Sequence, residues 1–188
     1  MIDGKKIMRR VAGYHDQRLD GMLDLVIRAR DATVFDIGCN RGLVGFELAN
    51  NGATTVHGCD NYEDGIRFAR ELFADLRNVV SQFEVVDLTM GPDILKSYFF
   101  NKYDIVLLLA TYHKIKRTMP PHKLTELMVY LADLTGHYFG WRGTSDKQCE
   151  NEEEMRALDR DLGSRGLKRI HTSYISSELN MAAIWGRR

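Results

Sequence analysis

The chain reads as an α/β protein, a doubly wound and mostly parallel seven-stranded sheet that ends in an antiparallel hairpin. Three observations predict this. Apolar strand-like runs alternate with amphipathic helical stretches almost to the end, the pattern of a parallel sheet covered on both faces. The run Val34-Phe35-Asp36-Ile37 opens straight into a glycine-punctuated turn, Gly38 to Gly42, where backbone can approach a ligand without a Cβ in the way. Finally, the segments Leu167 to Ile175 and Met181 to Trp185 are joined only by the polar Ser176 to Asn180, too short for a parallel crossover, so they pair as a hairpin.

Taken in order, a helix is predicted over Arg18 to Arg30, with Leu19, Met22, Leu23 and Val26 on one face by their three- and four-residue spacing. Strand one follows at Thr33 to Ile37, then a helix from about Leu43. Asn51-Gly52 stops that helix and introduces strand two, Thr55 to Asp60. The next helix places Ile66, Ala69, Phe73 and Leu76 along one stripe, and strand three is Gln82 to Val86. Pro92 suits the first turn of a short helix. Tyr103 to Leu109 is the most apolar strand and so belongs at the sheet centre. A helix over Pro121 to Leu134 buries Leu124, Leu127, Met128 and Leu131. Strand five is His137 to Trp141, and a helix over Asn151 to Leu162 precedes the hairpin.

Length and composition bound the function. At 188 residues the chain forms one domain that buries about 70% of its unfolded surface. Its 26 basic and 26 acidic residues cancel, so no global field favours a polyanion or a membrane. Three irregularly spaced cysteines, Cys39, Cys59 and Cys149, suit reduced thiols better than a disulfide framework. No Cys-x-x-Cys or His/Cys cluster points to a metal. The longest apolar run, Ile105 to Ala110, is too short for a membrane span, and Met1 to Arg10 lacks a signal-peptide core. The expectation is a cytoplasmic protein.

The acids Asp36, Asp60 and Asp87 recur at intervals near one βα unit, which places all three at the carboxyl edge of the sheet, where such folds bind ligands. With Asp36-x-Gly38-x-x-x-Gly42 and Val85-Val86-Asp87-Leu88, the chain resembles a class I S-adenosylmethionine-dependent methyltransferase over roughly Tyr14 to the C-terminus. Asn40 stands where the family has its middle glycine, a mild departure because Asn tolerates left-handed backbone. The dinucleotide fingerprint Gly-x-Gly-x-x-Gly is not present. A pyrophosphate would be repelled by Asp36, whereas the sulfonium and α-amino groups of S-adenosylmethionine are cationic.

The resemblance implies S-adenosyl-L-methionine as cofactor, S-adenosyl-L-homocysteine as product, and roles for particular residues. Gly38, Cys39, Asn40 and Gly42 form the cofactor loop, with Asp36 acting through it on the amino group. Asp60 receives the two ribose hydroxyls, for which a carboxylate with two acceptor oxygens is suited. Asn61 follows it, and Tyr62 lies against adenine. Asp87 meets the adenine amino group and the Leu88 backbone N–H a ring nitrogen. Ala110 ends strand four at the cofactor, and Tyr14, with His15, belongs to a segment folded over the methionine moiety. The resulting division is 1–30, an N-terminal segment and helix covering the cofactor site, and 31–188, the methyltransferase domain.

The segment after strand four, Leu109-Ala110-Thr111-Tyr112-His113, contacts substrate in the family and often supplies its base. His113 is the titratable candidate there and Tyr112 a gate or partner. No Asn or Asp precedes a Pro-Pro-aromatic, the mark of nucleobase amine methylation, and no Pro-Cys marks a cytosine C5 enzyme. Lys114, Lys116 and Arg117 make a basic rim fit for RNA, a nucleotide or another anion, with Lys5, Lys6, Arg9 and Arg10 able to approach from the N-terminus. Arg142 either binds an anionic substrate or pairs with the acidic Glu150 to Glu154 run. The expected function is methyl transfer to an oxygen or nitrogen of RNA, a nucleotide or a small metabolite. The competing reading is a catalytically inactive cofactor-binding partner or regulatory protein.

Overall fold

The structure is a computed structural model that describes residues 17–99, 101–145, 147–175 and 180–187. The strands are β1 (Thr33–Ile37), β2 (Thr55–Asp60), β3 (Val80–Val85), β4 (Tyr103–Leu109), β5 (Thr135–Gly143), β6 (Leu167–Ile175) and β7 (Asn180–Arg187). They form one seven-stranded sheet in the order β3-β2-β1-β4-β5-β7-β6. β1 to β5 run parallel, while β7 is antiparallel to both β5 and β6. The sheet is therefore the mostly parallel one, closed by a hairpin, that the short 176–180 connection requires.

Helices cover both faces. α1 (Leu23–Ile27), α2 (Leu43–Asn50) and α3 (Glu63–Phe73) pack on one; α4 (Pro92–Lys96), α5 (Tyr112–Thr118), α6 (Pro121–Leu134) and α7 (Gln148–Gly163) pack on the other. Alternate residues of β4 supply both cores, with Ile105 and Leu107 facing α1 to α3 and Val106 and Leu108 facing α4 to α7. β4 is the central strand of the seven, which explains why it is a continuous apolar run rather than an alternating one.

The opening helix is not formed as predicted. A short 3-10 turn at Gln17–Leu19 is followed by Gly21 at φ 79°, and the chain re-enters helix only for the five residues of α1. A Cβ on Gly21 would lie 3.0 Å from that of Ser173 on β6, so the turn is also a close approach. The break rotates the apolar face. Leu19, Met22 and Leu25 are buried, whereas Leu23, which the helical spacing assigned to that face, is exposed. Leu25 reaches the sheet above Gly140, where its Cδ1 fills the space a side chain would need.

Other boundaries shift by a few residues. β3 begins at Val80 rather than Gln82, β5 spans Thr135–Gly143 rather than His137 to Trp141, and α7 begins at Gln148 rather than Asn151. The predicted stripes of α3 and α6 are buried as expected, except that Leu76 lies past the end of α3 and is half-buried. α5 is an element the sequence reading did not include. It occupies the segment assigned there to substrate contact, and this matters for the site.

Candidate functional site

Strand order reverses between β1 and β4, since β1 has β2 on one side and β4 on the other. Such a switch point opens a crevice at the carboxyl ends of the strands. A cavity of about 430 Å³ lies there, within the usual range for a small-molecule site. Of the predicted cofactor residues, Gly38, Asn40, Asp60, Asn61, Tyr62, Asp87, Leu88 and Ala110 all line it.

The turn after β1 earns its glycine pattern. Gly38, Asn40 and Gly42 have φ of 73°, 51° and 70°, three left-handed positions at alternate residues, and Asn40 adopts the angle its side chain tolerates best among non-glycines. The Gly38 and Cys39 N–H groups both donate to the Cys59 carbonyl, at 2.8 and 3.0 Å, which ties the turn to the end of β2. A Cβ on Gly38 would fall 2.2 Å from the Thr111 Oγ1, so the floor of the cavity is backbone there by necessity.

Asp60 is held rigidly at the adjacent strand end. One carboxylate oxygen accepts from the Asn40 N–H at 2.8 Å and the other from the Tyr62 N–H at 2.9 Å. Each oxygen keeps a lone pair for a further donor, so the pair is presented to a vicinal diol with its orientation already fixed. Asp87 caps the 3-10 turn at Leu88–Met90, accepting from the Thr89 N–H at 2.9 Å and its hydroxyl at 2.7 Å through a single oxygen. Both acids face the same cavity, one from β2 and one from the end of β3.

Three predicted residues support the site without lining it. Asp36 is 2% exposed within β1, beneath the turn. Cys39 is buried against Gly58, and burial first, then the Asp36 charge, pushes its thiol pKa well up. A thiol so raised is a filler rather than a nucleophile. Gly42 packs against Ala69 of α3. Tyr14, with His15 and the basic residues Lys5, Lys6, Arg9 and Arg10, lies outside the described residues.

The residues predicted for catalysis are placed differently from the expectation. Because α5 starts at Tyr112, that side chain turns inward, is 2% exposed and joins the apolar core beneath α7. Its burial, reinforced by Asp161 and Glu154, raises the phenol pKa beyond reach of neutral pH. His113 is half-buried, its Nδ1 3.3 Å from the Thr144 Oγ1, and it does not line the cavity. Burial, then the Lys114 and Arg117 charges, lowers its pKa and keeps the imidazole neutral.

The rim is likewise divided. Lys114 lines the cavity, Lys116 pairs with Glu153 of α7 at 3.1 Å, and Arg117 is exposed outside the lining. Arg142 is buried at the end of β5, and its Nη1–H donates to the Gln17 carbonyl, which fastens the opening turn over that strand end. That turn carries Arg18 into the cavity wall.

Sequence reasoning missed Arg18, Thr89, Ile115 and Thr118, and named Leu109 and Thr111 only within the substrate segment and Val86 only within the strand-three motif. For Thr111, Ile115 and Thr118 a signal existed, since positions i, i+4 and i+7 share one face of a helix. Ala110, between β4 and α5, has φ 56°, an uncommon angle for a residue with a Cβ, and its N–H donates to the Arg142 carbonyl at 3.0 Å. This sharp turn aims the 111–118 face at the cavity. Among the described residues no group of three or more His, Cys, Asp or Glu is placed to hold a metal ion.

No protein-family model matches the chain, and no curated protein sequence matches it. Solved structures do. Magnesium protoporphyrin IX methyltransferase from Synechocystis PCC 6803 with bound S-adenosylhomocysteine is similar with a TM-score of 0.67 at 18% identity, over 98% of this chain and 94% of that one. The same enzyme with bound S-adenosylmethionine gives 0.65 at 19% identity, over 100% and 92%. The N-methyltransferase NodS from Bradyrhizobium japonicum gives 0.65 at 12% identity, over 91% and 94%. Agreement over nearly the whole length of both chains establishes that this protein has the class I methyltransferase fold.

Proposed function

We propose that the chain is an S-adenosylmethionine-dependent methyltransferase acting on an oxygen or nitrogen acceptor. The observation that carries this is Asp60, whose two carboxylate oxygens are each oriented by a backbone N–H and face a cavity floored at Gly38, where a Cβ would strike Thr111. A ribose diol fits such a carboxylate. Asp87 and the Leu88 N–H suit the adenine edge, Tyr62 and Ile115 supply apolar walls, and Gly38 with Ala110 leaves room for the methionine chain. Asp36 acts from beneath the turn on the amino group. The structural neighbours crystallised with the cofactor or its product support the assignment.

When bound, the cofactor supplies a methyl group already activated by a sulfonium. The chain must then chiefly align the acceptor and exclude water. Neither His113 nor Tyr112 is among the described lining residues, so the arrangement favours an acceptor that is already deprotonated at neutral pH, such as an ionised oxygen or a neutral amine nitrogen. The same observation favours a second reading, a cofactor-binding protein that regulates a partner and performs no transfer.

Calorimetry with S-adenosylmethionine and S-adenosylhomocysteine tests the reading, followed by labelled cofactor with fractionated cell extract. Binding of both, with label entering RNA, protein or small metabolites, is the expected result. Absence of binding at millimolar ligand removes the proposal. Binding without label in any fraction, together with a stable protein complex, selects the regulatory alternative.

A further inference from the structure

Among the described lining residues the charged groups are Arg18, Lys114, Asp60 and Asp87. Both carboxylates already accept hydrogen bonds from the chain itself. Lys114 differs from its neighbours on α5. Its ammonium makes no hydrogen bond or ion pair with the described residues, whereas Lys116 is paired with Glu153 and Arg117 is outside the lining. Thr111 and Thr118 share its helical face, but their hydroxyls donate to the carbonyls of Leu109 and Ile115. Lys114 is thus the side-chain donor that this face leaves for a ligand.

We infer that Lys114 anchors a small methyl acceptor bearing one anionic group, a carboxylate or a phosphate; this rests on the methyltransferase reading. Charge at the transferred methyl supports it. Asp36, buried beneath the turn, stands against the cofactor's amino group. The sulfonium of S-adenosylmethionine is then the positive charge beside the methyl group, and an anionic acceptor held by Lys114 in the same cavity is attracted by both. Transfer consumes the sulfonium charge, so the product cofactor is electrically neutral and the attraction that drew the anion in is weakened as product forms. An RNA strand would need a track of unpaired cations, and the Lys116 pairing with Glu153 interrupts one here.

The test uses the full chain loaded with sinefungin, whose amine keeps the positive charge at the sulfonium position, or with neutral S-adenosylhomocysteine. Inorganic phosphate and benzoate are titrated into each complex by calorimetry. At least one anion should bind the sinefungin complex about tenfold more tightly than the homocysteine complex, and K114Q should abolish that preference while cofactor affinity stays within about twofold. Which anion binds identifies the acceptor's acid. K116Q should change nothing. The inference is overturned if neither anion binds the sinefungin complex, if K114Q binds them as the natural protein does, or if a short single-stranded RNA displaces them with higher affinity. Failure of sinefungin and S-adenosylhomocysteine to bind at all is a different result, which removes the methyltransferase reading itself.

Discussion

Asp60 and Gly38 act at the scale of single atoms. Replacing Asp60 by alanine deletes two charge-assisted acceptors and frees the Asn40 and Tyr62 N–H groups that hold the turn's shape. Affinity for S-adenosylhomocysteine should fall at least about tenfold by calorimetry, and an unchanged affinity would remove Asp60 from the site. Gly38→Ala is expected to fail for a different reason. It combines a left-handed backbone, costing about 1–2 kcal/mol, with a Cβ 2.2 Å from the Thr111 hydroxyl. Adding Thr111→Gly should recover binding but not the backbone cost, so a double-mutant cycle read by calorimetry and denaturant unfolding separates the two terms.

At the scale of elements, α7 carries a liability that pH exposes. Glu154 is 3% exposed, and its Oε2 has no hydrogen-bond partner among the described residues. Burial raises its pKa from the ordinary 4.5 to about 7, offset in part by Lys116. The unfolded chain therefore releases this proton before the folded one does. Between about pH 4.5 and 7 the folded state binds more protons, so this group's contribution to stability falls as pH rises and levels off above 7. Glu154→Gln should remove that fall and stabilise the protein at pH 8 by at most about 3 kcal/mol, measured by urea unfolding across pH. A parallel shift of both pH profiles would show that Glu154 is already ionised in the fold.

For the whole molecule, the site depends on the sheet but is not made of its core. Leu107 is fully buried on central β4, so Leu107→Ala should cost about 2–5 kcal/mol of stability. Its side chain lies outside the cavity lining, and the affinity of the surviving folded protein for S-adenosylhomocysteine should stay within about twofold. Ligand at a hundredfold excess over its Kd should then add about 2.7 kcal/mol to the natural and the variant protein alike. A variant that gained no such increment would mean that the crevice itself had loosened.

The chain's own residue order determined the sheet, because an apolar run, a turn residue and a helical stripe are local patterns that neighbours in sequence complete. The run at 105–110 announces the central strand, and Gly38, Asn40 and Gly42 announce left-handed backbone wherever they are placed. Acids at strand ends were legible for the same reason, since a parallel sheet puts every such end on one edge. The broken opening helix was less so, because its two halves carry acceptable helical spacing and Gly21 is confined by Ser173, far away in sequence. Tertiary structure alone decided which side of α5 faces inward. That choice buries Tyr112, sets His113 beside Thr144 and turns Lys114 to the cavity. It also joined Arg142 to Gln17 across 125 residues. Such contacts arise from packing between distant elements, and no local periodicity encodes the partner.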